Sequence, residues 1–111
     1  MELPVVNHKD YFAKIGDDHK FPINKFGDLA DYLIEKNIVK KFHTPYPCSQ
    51  ETLLRAHSEK YIKDITNKTL DENGVKKIGF PLVDSVIKRS FVATGGTVLA
   101  SKLAISSGLA C

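Results

Sequence analysis

The stretch that decides the fold is residues 82–108, LVDSVIKRSFVATGGTVLASKLAISSG. Its apolar residues recur at helical spacing and predict one long helix or two stacked helices, through Val83, Val86, Ile87, Phe91, Val98, Leu99 and Leu103. Gly95 and Gly96 interrupt this pattern, at a cost of about 1 kcal/mol each relative to alanine. The cost is explained if another element must approach the helix backbone closely at this pair. Ser107-Gly108 is a typical helix end.

Shorter helices are expected before this stretch. A periodic apolar face of five residues predicts a helix between a cap at Asn24 and a stop at Asn37, through Phe26, Leu29, Ala30, Leu33 and Ile34. Ser49 and Ser58 are suited to cap two further short helices. Thr69 and Glu72 have the spacing of a capping box, before a brief helix that ends near Gly79.

Extended structure is expected at both ends of the chain. Residues 3–6 form a short apolar run with two β-branched residues, which predicts a strand. Residues 7–24 have weak periodicity and are expected to be mostly loop. After the helix end at Gly108, residues 109–111 resemble the first residues of a buried strand. We therefore expect the chain to be truncated relative to the protein for which its pattern evolved.

The composition is that of an ordinary globular chain, with 42% hydrophobic and 26% charged residues and a net charge of +3. Acidic residues lie between most of the basic ones, which argues against nucleic acid as a partner. Cys48 and Cys111 belong to no CxxC motif, so both are expected to be reduced thiols. No apolar run approaches the roughly 20 residues of a membrane span. These features predict a cytoplasmic protein that does not bind membranes.

Motifs that carry chemistry are scarce. Residues 8–19 contain two histidines and three aspartates, but their spacing matches neither a zinc helix nor a calcium loop. The expectation is therefore a surface loop that binds no metal. His57 precedes the Ser58 cap, where a favourable contact with a helix dipole explains it as well as catalysis does. No GxSxG or phosphate-binding glycine motif is present, and Cys48 has no fixed basic neighbour. The residues alone predict no catalytic group.

Four segments, taken in order, resemble the amino-terminal part of the histone deacetylase superfamily, especially its bacterial and class IV-like members. They are GDDHKFPINKF at 16–26, ETLLRAHSEKYI at 51–62, IGFP at 78–81 and RSFVATGGT at 89–97. The resemblance implies a three-layer α/β parent fold with a parallel sheet. Residues 1–111 would then be a single amino-terminal fragment, mostly helical with one short amino-terminal strand. Its paired catalytic histidines and zinc ligands would lie beyond Cys111.

The resemblance also implies a set of site residues. The loop from Asp17 to Phe26 is similar to one wall of the family's substrate channel, and Phe80 is similar to an aromatic residue at the channel rim. The implied channel-wall residues are Asp18, His19, Lys20, Phe21, Phe26 and Phe80. Pro81 stands where eukaryotic members often carry an aspartate that grips the substrate backbone. This difference disfavours peptide recognition and suits a small acylated amine.

Two functions follow as expectations. The first is a segment of a zinc-dependent amide hydrolase that has no catalytic activity and no cofactor of its own. The second is a binding or assembly module derived from the same fold, because helix faces that lack their sheet would expose apolar surface. The expected partner is a second copy of the chain, most simply in a two-fold dimer.

Overall fold

The computed structural model describes residues 2–111 and consists of five α-helices and one short 3₁₀ helix joined by loops. The 3₁₀ helix is Lys9–Tyr11. The α-helices, in chain order, are α1 (Lys25–Glu35), α2 (Gln50–Leu53), α3 (Glu59–Thr66), α4 (Glu72–Ile78) and α5 (Asp84–Ser107). None of these described helices is long and apolar enough to cross a lipid bilayer.

Helix ends follow local hydrogen-bond chemistry. The Ser49 and Ser58 hydroxyls accept from backbone N–H groups three residues on, which confirms the predicted starts of α2 and α3. At α4 the cap is Asp71, not Thr69, because the Asp71 carboxylate accepts from Gly74 N at 2.7 Å. Gly79 ends that helix with φ of +81°, a conformation that favours glycine.

Helix α5 is continuous through Gly95 and Gly96, and both glycines are buried. Residues 46–48 cross the helix at Gly95, where an added Cβ would overlap Tyr46 O. The crossing is fixed by Cys48 N, which donates to Phe91 O at 2.8 Å. At Gly96 an added Cβ would overlap the Tyr11 hydroxyl. The predicted close approach at the glycine pair is therefore confirmed, from two different segments.

The core is small and shallow. One cluster of buried residues, here called the core cluster, consists of Ala13, Ile15, Ile23 and Val86. It lies between the loop that precedes α1 and the first turn of α5, and Phe21, Phe26 and Phe80 pack against it. The principal-axis extents are 46 × 34 × 17 Å, so the molecule is flattened along one axis.

The α/β expectation is wrong for the described residues, because residues 2–111 contain no strand and no sheet. The predicted strand at residues 3–6 is reduced to a single parallel bridge between Val6 and His43. Val6 N also donates to Cys111 O at 2.7 Å, and Cys111 N donates to Pro4 O at 2.9 Å. Pro4 has no N–H, and neither have Pro45 and Pro47 on the His43 side, so these pairings do not extend into a ladder.

Candidate functional site

Four ring side chains from two distant segments meet at one surface, here called the aromatic rim: His19, Phe21, Phe26 and Phe80. The His19 and Phe80 rings stack with centroids 5.2 Å apart and planes 23° apart. Phe21 meets Phe80 edge to face at 5.2 Å and lies nearly parallel to Phe26 at 6.2 Å. These separations are those of favourable aromatic pairs. The loop before α1 and the turn after α4 therefore form one aromatic surface.

The His19 imidazole ties the two segments of the rim together. Phe21 N donates to His19 Nδ1 at 3.0 Å, and His19 Nε2 lies 2.9 Å from Gly79 O. Because Nδ1 must accept here, the proton of the neutral ring belongs on Nε2, which donates to the Gly79 carbonyl. The left-handed turn at Gly79 directs that carbonyl and the following Phe80 toward the loop. His19 thus fixes the position of Phe80 by stacking and by hydrogen bonding at once.

Two cations lie over the rim. Lys25 Nζ is 4.9 Å from the Phe21 centroid and 5.1 Å from the Phe26 centroid. Arg89 Cζ lies 5.6 and 5.1 Å from the same two centroids. All four separations are within the range of cation–π attraction. The paired Phe rings therefore attract positive charge from α1 and from α5.

Arg89 also connects α5 to the 3₁₀ helix, because its Nε donates to Tyr11 O at 2.7 Å. Burial lowers the pKa of Arg89, an effect that the neighbouring Tyr11 partly opposes. Burial likewise raises the pKa of the Tyr11 phenol, and the positive charge of Arg89 opposes that rise. The guanidinium is thus held in a partly dehydrated position between the rim and the 3₁₀ helix.

Two concave spaces adjoin the rim. The larger, of about 850 Å³, follows the loop from Phe12 to Asp28 and includes His19, Phe21 and Lys25 in its lining. The smaller, of about 210 Å³, lies between the core cluster, Phe80, Arg89 and Ser90. Both are partly open to solvent. The rim is consequently one wall of a cleft in the described part of the chain.

The structure brings together four of the six residues that the resemblance singled out, namely those of the rim. Asp18 and Lys20 are exposed on the turn beside His19. Sequence reasoning missed Arg89 and Tyr11 as members of the site. A signal for Arg89 was present, because it lies on one helical stripe between Val86 and Val92, at 6% and 1% exposure. A cation on a buried stripe indicates a polar partner or a cavity.

The fit of the residues to a zinc ion is poor. No three His, Cys, Asp or Glu side chains come together as metal ligands within residues 2–111. In the loop of residues 8–19, His8 Nδ1 already accepts from Asp10 N at 2.9 Å. The Asp10 carboxylate lies 3.3 Å from Lys88 Nζ. These described groups are committed to one another and do not form the three-ligand set of a catalytic zinc site.

The chain is similar to part of a longer cyanobacterial protein. No protein-family model matches the chain. The chain is 34% identical over 113 residues to an uncharacterized protein of Picosynechococcus sp. (strain ATCC 27264 / PCC 7002 / PR-6). The match covers 100% of this chain and 38% of the relative. The chain therefore corresponds to well under half of the length of the protein that it resembles.

Proposed function

We propose that this chain is the channel-wall segment of a histone-deacetylase-like amide hydrolase and has no catalytic activity on its own. The observation that carries the proposal is the aromatic rim. Segments 16–26 and 78–81, which the resemblance assigns to the wall and rim of a substrate channel, lie against each other through His19, Phe21 and Phe80. An aromatic wall of this kind suits the apolar acyl chain and linker of a small acylated amine.

The chain's own residues explain why it would not catalyse the reaction alone. An amide hydrolase needs a general base or an activated nucleophile within reach of the scissile bond. At the rim the one imidazole ring, that of His19, uses both of its nitrogens in hydrogen bonds to the backbone. In this proposal the rim holds the substrate. The catalytic groups would come from a region that corresponds to the part of the longer relative outside the match.

The longer relative allows a direct test. A chimera would carry this chain in place of the matched 113 residues of the cyanobacterial protein. We expect both proteins to hold zinc and to hydrolyse a fluorogenic acetylated amine. Phe80→Ala in the chimera should raise KM without changing zinc content. Lys77→Ala, a change at an exposed position one turn earlier, should leave both KM and zinc content unchanged. Absence of zinc and of amide hydrolysis in the relative itself would contradict the proposal, whatever the chimera does.

The second candidate is an assembly module that pairs with a copy of itself, and the shape of the molecule favours it. The accessible surface is 8036 Å², against about 6,100 Å² for a compact monomer of this mass. The Cα radius of gyration is 15.6 Å, against about 13 Å for a compact chain of this length. A second copy packed against the chain would bury part of this excess surface.

Exposed apolar side chains identify the surface that such a layer would cover. On α1, Leu29 and Ile34 are 58% and 43% exposed, so the predicted apolar stripe of this helix is covered only in part. The first turns of α5 are better covered, because Val86 is buried in the core cluster. At the other end of α5, Ile105 and Leu109 are 86% and 72% exposed. A two-fold dimer would bury such residues on both copies.

Sedimentation velocity over a range of concentrations tests this second candidate. We expect a reversible dimer that Ile105→Glu weakens at least about tenfold, the loss expected from removing one buried apolar side chain from an interface. Ser106→Glu is the matched control, since it adds the same charge at an exposed neighbouring position of α5. A monomer at every concentration, or equal weakening by both changes, would contradict the assembly module.

A further inference from the structure

Arg89 is a partly buried cation without an acidic partner. Among residues 2–111 no carboxylate lies within 4.0 Å of its guanidinium, and its one hydrogen bond is from Nε to Tyr11 O. The nearest acid along the 3₁₀ helix, Asp10, is paired with Lys88 instead. A cation that is moved from water into partly apolar surroundings is costly unless it gains a partner. The two Nη groups of Arg89 therefore remain available as paired donors.

The cavity beside Arg89 has a suitable size and lining for a small ligand. Its volume is about 210 Å³, and its walls are the core cluster, Ile78 and Phe80, with Arg89 and Ser90 at one side. An apolar protein cavity of about 150 Å³ is large enough for benzene. The Ser90 hydroxyl is committed to Val86 O at 2.9 Å and adds no free donor. The cavity thus has mostly apolar walls and one cationic residue in its lining.

We propose that this cavity binds a small monocarboxylate with a compact apolar body, with its carboxylate on the Arg89 guanidinium. A planar guanidinium matches a carboxylate through two parallel hydrogen bonds. One charge and apolar walls favour a monoanion over a phosphate or a dicarboxylate, because the extra charge of those ligands would lie against the core cluster. The Phe21 and Phe26 ring centroids lie 5.6 and 5.1 Å from Arg89 Cζ and so restrict the position of the guanidinium in advance. This inference does not depend on the proposed hydrolase function.

Benzoate is the probe that fits the cavity, and benzamide is its neutral isostere. Titration of the 111-residue chain, followed through the NMR signal of the Arg89 Nε–H, should show saturable binding of benzoate. Benzamide should bind at least about tenfold more weakly, as expected for the loss of hydrogen bonds between charged groups. Equal binding of the two probes, or no binding of benzoate, would overturn the proposal.

Two variants test whether the positive charge of Arg89 binds the carboxylate of benzoate. Arg89→Gln should weaken benzoate at least about tenfold, whereas Lys88→Gln, which removes the adjacent cation of α5 that does not line the cavity, should change its binding less than twofold. If Arg89→Gln does not fold, the comparison of benzoate with benzamide on the unaltered chain still tests the proposal. A short glutamate-containing peptide amide that binds more tightly than benzoate would show instead that Arg89 serves an acidic protein partner, and would refute the small-ligand proposal.

Discussion

Gly95→Ala would place a methyl group against the backbone of residues 46–48. The added Cβ overlaps Tyr46 O and lies 3.1 Å from Cys48 N, so the obstacle is peptide backbone and not a flexible side-chain end. The segment that must move contains Pro45 and Pro47, which restrict its dihedral angles. Movement would also strain or break the hydrogen bond from Cys48 N to Phe91 O.

The size of the effect follows from three contributions to the free energy of unfolding. Overpacking at a tight site costs about 1–3 kcal/mol. Loss of one backbone hydrogen bond costs about 0.5–1.5 kcal/mol. The higher helix propensity of alanine returns about 1 kcal/mol. We expect Gly95→Ala to lower the unfolding free energy by about 2 kcal/mol, which for a chain of this size is a fall in Tm of about 10 °C.

The assay is urea unfolding followed by circular dichroism, with Gly27→Ala as the matched control. Gly27 lies inside α1, and an added Cβ there meets nothing within 4 Å. That variant should gain up to about 1 kcal/mol from helix propensity alone. A Gly95→Ala protein that is as stable as the unaltered chain, or more stable, would refute the close-approach argument.

Further changes test the remaining contacts. Gly96→Ala should lower the unfolding free energy less than Gly95→Ala does, because its added Cβ meets the hydroxyl end of the Tyr11 side chain. Adding Tyr11→Phe to the Gly96→Ala protein should restore part of that free energy, as measured by urea unfolding. Hydrogen bonds from Lys60 and Thr69 lower the pKa of Asp64, so its contribution to stability is present above the pKa of an unfolded carboxyl group and is lost as pH falls through the lower folded value. Asp64→Asn should therefore be the less stable protein at neutral pH, with a difference that shrinks toward zero in acid. His19→Phe keeps a ring against Phe80 but removes both hydrogen bonds, and about 1 kcal/mol of stability should be lost, with faster amide exchange at Phe21.

The helices could be predicted because their signals are local. The Ser49 and Ser58 caps and the glycine ends at 79 and 108 depend only on residues within one turn. The Thr69 cap was wrong because its hydroxyl donates to Asp64 at 2.8 Å, and a competing partner five residues away is not visible in cap spacing. The strand prediction was wrong because strand formation depends on residues that are distant in sequence. Whether residues 3–6 form a strand depends on partners distant in sequence, and in the described chain those partners supply single pairings.

Part of the candidate site was predicted from the sequence, and part was not. His19 and Phe80 were grouped by resemblance, and no periodicity in the sequence would have brought a loop residue against one 61 positions later. Arg89 was missed because an arginine in a helix is ordinarily assigned to solvent. Its long side chain instead reaches the Tyr11 carbonyl and the Phe21 and Phe26 rings, which became apparent only when α5 was placed over the 3₁₀ helix.

The thickness of the molecule constrains every function considered for it. The molecule is flattened along one axis, with a shortest extent of 17 Å, and the cavities beside the rim are open to solvent. A substrate or ligand that is held against one wall keeps most of its contact with water, whereas tight small-molecule sites bury most of the ligand surface. Benzoate binding by the isolated chain should therefore be weak, and it should strengthen when a second polypeptide layer closes the cleft. Tighter binding of benzoate in the chimera would mean that the remainder of the relative covers the rim. Tighter binding that follows dimerisation would mean that a second copy of this chain covers it. Binding that is indifferent to both would mean that a second layer covers a different face, such as the exposed side of α1.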